Sequence, residues 1–165
     1  MDVRDAEESE IDHLAAVWYH GWRDAHVGIV PAELTRLRTR DSFRDRLQAD
    51  LRHIRVVGPV GGPVGFYIVK GDELYQLFVS AVARGSGVAV ALIADAEARL
   101  FASGVEIAWL ACAIGNERAA RFYEKRGWRR AGTVTNTLET TEGTFLLDVW
   151  RYEKSLRSLD DTCAL

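Results

Sequence analysis

The segment from Leu74 to Leu100 constrains this chain most. An apolar run, Leu74-Tyr75-Gln76-Leu77-Phe78-Val79, reads as a strand. A connector containing Arg84-Gly85-Ser86-Gly87-Val88-Ala89 follows, and a helical pattern then runs from Val90 to about Ala102. A strand feeding a small-residue turn that opens a helix is a common way to hold a phosphate. The first helical turn leaves N–H groups without intrahelical acceptors, and the aligned peptide dipoles add about half a positive charge there. Glycines at 85 and 87 let the backbone approach an anion where a Cβ would block it. The same letters also suit a plain tight turn, so the loop alone leaves both readings open.

A second motif lies downstream. The apolar run Ile107 to Cys112 is followed by Asn116-Glu117-Arg118-Ala119-Ala120-Arg121-Phe122-Tyr123-Glu124-Lys125-Arg126-Gly127-Trp128. Together the two segments resemble the GCN5-related N-acetyltransferase (GNAT) family. That family's acyl-CoA loop reads Arg/Gln-x-x-Gly-x-Gly/Ala, here Arg84-x-x-Gly87-x-Ala89. Its later helix reads Asn-x-x-Ala-x-x-Phe-Tyr-x-x-x-Gly-Phe/Trp, matched by Asn116, Ala119, Phe122, Tyr123, Gly127 and Trp128. In general pattern the resemblance runs from Val3 to Leu156. It implies an α/β (α+β) fold: a mixed, mostly antiparallel central sheet flanked by helices, with a splayed pair of parallel strands. It also implies one N-acetyltransferase domain over residues 1–156 with a tail over 157–165, and acetyl-CoA as acyl donor. Trp18, Trp22, Gly28 and Pro31 further resemble the phosphinothricin-acetyltransferase-like branch, in which this early helical region walls the acceptor site.

Composition narrows the class. With 165 residues, 48% hydrophobic and 27% charged, the chain suits one soluble globular domain. A net charge of −3 argues against nucleic-acid or anionic-membrane surfaces as partners, so an anionic ligand needs local help from N–H groups and arginines. No apolar run approaches the roughly 20 residues of a membrane span, and the start of the chain lacks a signal-peptide pattern. The two cysteines, Cys112 and Cys163, suggest neither a disulfide framework nor a metal site, and a cytoplasmic protein is expected.

Along the chain, Asp5 to Glu8 reads as a capping box ahead of a helix with Ile11, Leu14, Val17 and Trp18 on one face, interrupted at Gly21. A second helix begins near Pro31, and a third spans Ser42 to Leu51. Strands are expected at residues 54–57, 64–69 and 73–79 as an antiparallel meander. Residues 74–112 form a strand–helix–strand crossover, and two final strands cover 128–137 and 144–152.

The chemistry expected of the resemblance falls on few residues. N–H groups from Arg84 through Gly85, Ser86, Gly87, Val88 and Ala89 would cradle the CoA pyrophosphate, with Arg84 adding positive charge. Leu77, Phe78, Val79, Asn116, Ala119, Phe122 and Tyr123 would line the rest of the cofactor site. An acceptor amine with an ordinary pKa near 10.4 must lose a proton, a deficit of roughly 4.6 kcal/mol at pH 7. Glu73 stands where histone-type members carry a glutamate base; the same residue also reads as a solvated turn carboxylate beside Asp72, and both readings stand. Tyr123 is placed by the resemblance as the acid that protonates the departing thiolate, and Val79 N–H as the oxyanion donor beside a splay near Ala111.

His13, His20, His26 and His53 have no metal-ligand spacing, so no metal is expected. Tyr19, Trp22 and His26, with Trp150, are candidates for the wall around a small-molecule or peptide amine. Homodimers are common in the family. Two rival readings are a non-catalytic acyl-CoA-binding module on the same fold and a dinucleotide site built on Gly85-Ser86-Gly87. The second is weakened by Val90 at the third glycine position.

Overall fold

The computed structural model describes residues 1–157; the tail expected over 157–165 lies, but for its first residue, outside the described residues. Strand β1 (Val3–Asp5) leads into helix α1 (Ile11–His26), and α2 (Ala32–Leu37) and α3 (Arg40–Ala49) follow. The meander is β2 (Ile54–Val57), β3 (Gly65–Lys70) and β4 (Glu73–Val79). Helix α4 (Val88–Ala102) crosses to β5 (Ile107–Ala113), and α5 (Glu117–Lys125) precedes the hairpin of β6 (Arg129–Thr140) and β7 (Gly143–Ser155).

These strands form one seven-stranded sheet in the order β1-β2-β3-β4-β5-β7-β6. Every pairing is antiparallel except β4 with β5. A core lies on each face of the sheet. On one, α1 and α3 bury Leu14, Trp18, Phe43 and Leu47 against Val56, Phe66 and Ile68. On the other, Leu92, Ile93, Ala96 and Leu100 of α4 pack on Tyr67, Leu74, Ala108 and Leu110, with Trp128 and Tyr152 closing the α5 end.

The expected GNAT-type mixed sheet is present, with three local corrections. Gly21 does not interrupt α1, which runs unbroken to His26. A Cβ at Gly21 would sit 2.7 Å from the Phe78 ring, so glycine here lets the helix lie close on β4. The capping box is displaced by two residues: Asp5 is in β1, and it is Glu10 whose carboxylate accepts the Glu7 N–H at 2.9 Å. Glu10 is recruited because Arg4 donates to both its oxygens (2.9 and 2.7 Å) and Gly61 N–H adds a third donor group, which holds its carboxyl down at about 2. Helix α4 starts at Val88 rather than Val90, with Gly87 as its N-cap at φ +89°.

The close approach of α4 to the sheet depends on Gly65. An added Cβ would meet Val88 Cγ1 at 2.8 Å, Leu92 Cδ1 at 3.0 Å and the Phe78 carbonyl oxygen at 3.2 Å. Replacing Gly65 by Val should therefore overpack this contact and cost about 1–3 kcal/mol, which for a chain of this size lowers the unfolding midpoint by roughly 2–12 °C. Thermal melts of the two proteins check it.

Candidate functional site

The site begins where two strands part. Strands β4 and β5 share one residue pair, Glu73 with Trp109, and Trp109 N–H donates to Asp72 O at 3.2 Å. The Trp109 indole N–H also donates to the Asp72 carboxylate at 2.9 Å, fixing the foot of the split. Beyond it β4 stays bonded to β3 and β5 to β7, so the two diverge and open a gap. Ser80 N–H donates to Val64 O at 2.7 Å. Antiparallel alternation back from there bonds Phe78 to β3 and turns the N–H and C=O of Leu77 and Val79 toward the gap.

A β-bulge sorts the side chains of β4. Val69 pairs with Leu74 but Ile68 with Gln76, so Tyr75 is the extra residue. Leu77 and Val79 consequently face the α4 core while Phe78 faces the α1 core, and across the bulge Glu73 falls on the α1 side beside Lys70. Unbulged, the period of two would place Glu73 with Leu77 and Val79 instead.

Two cavities meet at the gap. The larger, about 590 Å³, is lined by Leu77, Phe78, Val79, Arg84, Gly85, Gly87, Val88, Ala89, Asn116, Ala119, Phe122 and Tyr123. The smaller, about 260 Å³, contains Glu73 and Trp22. His26, Tyr75, Gln76, Ala111 and Ala113 line both. The Nδ1–H of His26 donates to Trp22 O at 2.8 Å and its ring stacks on Trp22 at 4.8 Å; burial lowers its pKa, leaving Nε2 with a free lone pair.

The mouth of the larger cavity is an open helix terminus. Gly87 makes no side-chain cap. The first helical bond from this end is Ala91 N–H to Gly87 O, so the N–H groups of Val88, Ala89 and Val90 have no backbone acceptor among the described residues. Gly85 and Gly87 adopt φ of +78° and +89°, and the space a Cβ would take at each is empty. This is a cradle suited to a pyrophosphate.

Four expectations change here. Arg84 N–H and Ser86 N–H are used inside the turn, on Ala81 O and Ala83 O, and the Ser86 hydroxyl bonds Ala83 O as well. Ser86 does not line the cavity, so the free donors among the described residues are those at Gly85 and at Gly87 to Val90. Arg84 reaches the cavity, but its guanidinium is paired with Asp24 of α1 at 2.9 Å, which offsets the charge it was expected to bring. Tyr19 lines neither cavity: it packs edge-on to Phe43 with Arg23 over its ring, a consequence of its facing the α3 side of α1. Trp150 also stands apart, covered by Arg130 at 3.7 Å.

Sequence reasoning missed Arg118 and Cys112 in the larger cavity and Arg38, Arg46 and Lys70 in the smaller. Arg118 lay inside the Asn116 motif and could have been found there. The others sit at positions that read as ordinary helix, strand or turn residues.

Burial tunes the reactive groups. Glu73 is pushed up to about 7 chiefly by desolvation, with Asp72 adding to the rise and Lys70 and Arg151 opposing it. Burial also raises Tyr123, whose ring packs edge-on to Phe122 and Trp128, so its phenol stays protonated. Cys112, on the wall nearby, is pushed up to about 12 by burial and remains a thiol, which makes it a poor nucleophile. Asn116 caps α5 by accepting Ala119 N–H at 3.4 Å.

The profile of a family described as the Acetyltransferase (GNAT) family matches residues 15–128. No curated protein matches the sequence. Among solved structures, a GCN5-related N-acetyltransferase from Rhodopseudomonas palustris is 22% identical with a TM-score of 0.72, over 93% of this chain and 94% of that one. An N-acetyltransferase from Staphylococcus aureus Mu50 is 20% identical at TM-score 0.71, over 94% and 98%. The paia N-acetyltransferase of Thermoplasma acidophilum, solved in complex with coenzyme A, is 17% identical at TM-score 0.63, over 93% and 98%.

The raised Glu73 carboxyl has a stability consequence. Its folded value lies above the unfolded one, so the charged form is disfavoured in the folded state, and stability falls as pH rises from about 4.5 through about 7. Glu73→Gln removes that loss. The variant's midpoint relative to the parent should therefore be higher at pH 8 than at pH 5, read by melts at both.

Proposed function

This chain belongs to the GNAT acetyltransferase family, and from that premise we propose that it is an N-acetyltransferase acting on a primary amine by direct attack in a ternary complex. Residues 1–156 are read as its single catalytic domain. The observation that carries the reading is the gap between β4 and β5, with an uncapped helix terminus at one cavity and a carboxyl of raised pKa in the other.

The larger cavity fits acetyl-CoA by its open N–H cradle and its apolar depth. When bound, acetyl-CoA supplies an activated thioester. The N–H groups of Gly85 and of Gly87 to Val90 would hold its pyrophosphate, and Leu77, Val79, Ala119 and Phe122 would exclude water along its arm. The acceptor amine would enter from the smaller cavity. Glu73, near half-ionised at neutral pH, takes the amine proton directly or through water. Val79 N–H, turned into the gap, offers a donor where negative charge develops on an acyl oxygen. Tyr123 keeps its proton and gives it to the leaving sulfur. Cys112, held as a thiol, takes no covalent part.

Thiol release from acetyl-CoA with a panel of primary amines tests the proposal; cofactor binding with no release for any amine would leave a non-catalytic binding module. In the active protein the rate should rise with pH to a plateau set near pH 7 by Glu73. Glu73→Gln should lose that limb, fall about a hundredfold at pH 7, and recover as pH approaches the amine's own pKa. Tyr123→Phe should lower kcat by a similar factor while CoA affinity changes little. A changed affinity with unchanged kcat would make Tyr123 a binding residue only.

A further inference from the structure

The smaller cavity carries more positive charge than a site for a simple amine requires. Arg38, between α2 and α3, is only 4% exposed, yet among the described residues its guanidinium makes one hydrogen bond, a donation to the Glu139 carbonyl oxygen at 2.8 Å. Arg46 of α3 donates to the Tyr75 hydroxyl at 2.6 Å and lies 4.4 Å from the Trp18 ring centroid. Both line the cavity. Among the described residues no carboxylate forms an ion pair with either, whereas the third cation, Lys70, is paired with Asp50 at 3.0 Å. A buried guanidinium without an anion is costly, and removing half of a charge pair leaves such a residue behind. Burial first, and then the like charge of Arg46, pull Arg38 down to about 10. Each guanidinium thus lacks a counter-charge among the described residues, and Arg38 feels the charge of Arg46.

The wall also holds two carboxyl groups. Glu73 is the base described above, and Glu139 is exposed, with its carbonyl oxygen, not its carboxylate, facing Arg38. Neither neutralises the arginines. Resting on the N-acetyltransferase reading, we infer that the acceptor is a small aminocarboxylate, its carboxylate held by Arg38 and Arg46 while its amine faces Glu73. A carboxylate matches the planar fork of guanidinium donors, and a cavity of about 260 Å³ accommodates a molecule of amino-acid size. The same arginines disfavour polycationic amines, which would bring further positive charge to them.

Matched pairs test this: each L-amino acid against the amine formed from it by decarboxylation, measured by thiol release from acetyl-CoA. The accepted acid should exceed its decarboxylated partner at least tenfold in kcat/KM, as a charged hydrogen bond predicts. Arg46→Gln should shrink that ratio about tenfold, mainly through KM, in a protein whose melt shows it is folded. Decarboxylated amines used as well as or better than their parent acids would overturn the inference and leave the acetyltransferase reading intact. A binding arm separates the two if no amine releases thiol: melts with CoA present, with and without each amino acid. Stabilisation by an amino acid, lost in Arg46→Gln, would support the pocket. No stabilisation by any would overturn it, whatever the fate of the catalytic reading.

Discussion

Everything at the site depends on one strand pair ending early. Glu73 and Trp109 pair, Asp72 clamps the Trp109 backbone and indole, and beyond that pair β4 continues along β3 and β5 along β7 with no further pairing between them. A sheet that stayed paired would use up the N–H and C=O groups of Leu77 and Val79 and leave no passage between its faces. The split leaves those groups free and joins two cavities through His26, Tyr75, Gln76, Ala111 and Ala113. The opening thus connects the two faces of the sheet at one backbone edge.

Two smaller devices make the split productive. The bulge at Tyr75 changes the phase of β4, so one strand presents Leu77 and Val79 to the α4 side and Glu73 to the other. Gly65 lets α4 sit low on the sheet, which sets its uncapped N-terminus at the mouth of the larger cavity. Electrostatics follow from placement. Desolvation pushes the Glu73 carboxyl up to about 7 and keeps the Tyr123 phenol and Cys112 thiol protonated, so a half-ionised carboxyl lines one cavity and a protonated phenol the other.

Much of this was legible in the letters, for reasons that are local. The Leu74–Leu100 stretch and the Asn116–Trp128 stretch each join a period change to a turn, and such signals survive without tertiary context. What was not legible depended on neighbours distant in sequence. Gly21 reads as a helix breaker until Phe78 lies against it. Glu10 becomes the capping carboxylate because Arg4 and Gly61 converge on it. Arg84 carries the expected charge, but Asp24, sixty residues away in sequence, pairs with it. Tyr19 looked available for an acceptor, and only the packing of α1 on α3 turns it away. Arg38 and Arg46 look like surface residues of charged helices until β6 and β4 close over them.

The coenzyme A site proposed for this chain is the open terminus of α4 and the gap behind it. Thermal unfolding with acetyl-CoA, CoA and NAD added separately tests it most directly. At a hundred times its dissociation constant a ligand adds about 2.7 kcal/mol, which for a chain of this size raises the midpoint by roughly 5–11 °C. Both CoA species should give that rise, and NAD none. No shift with either CoA species would contradict the proposal and reduce the glycine loop to a tight turn.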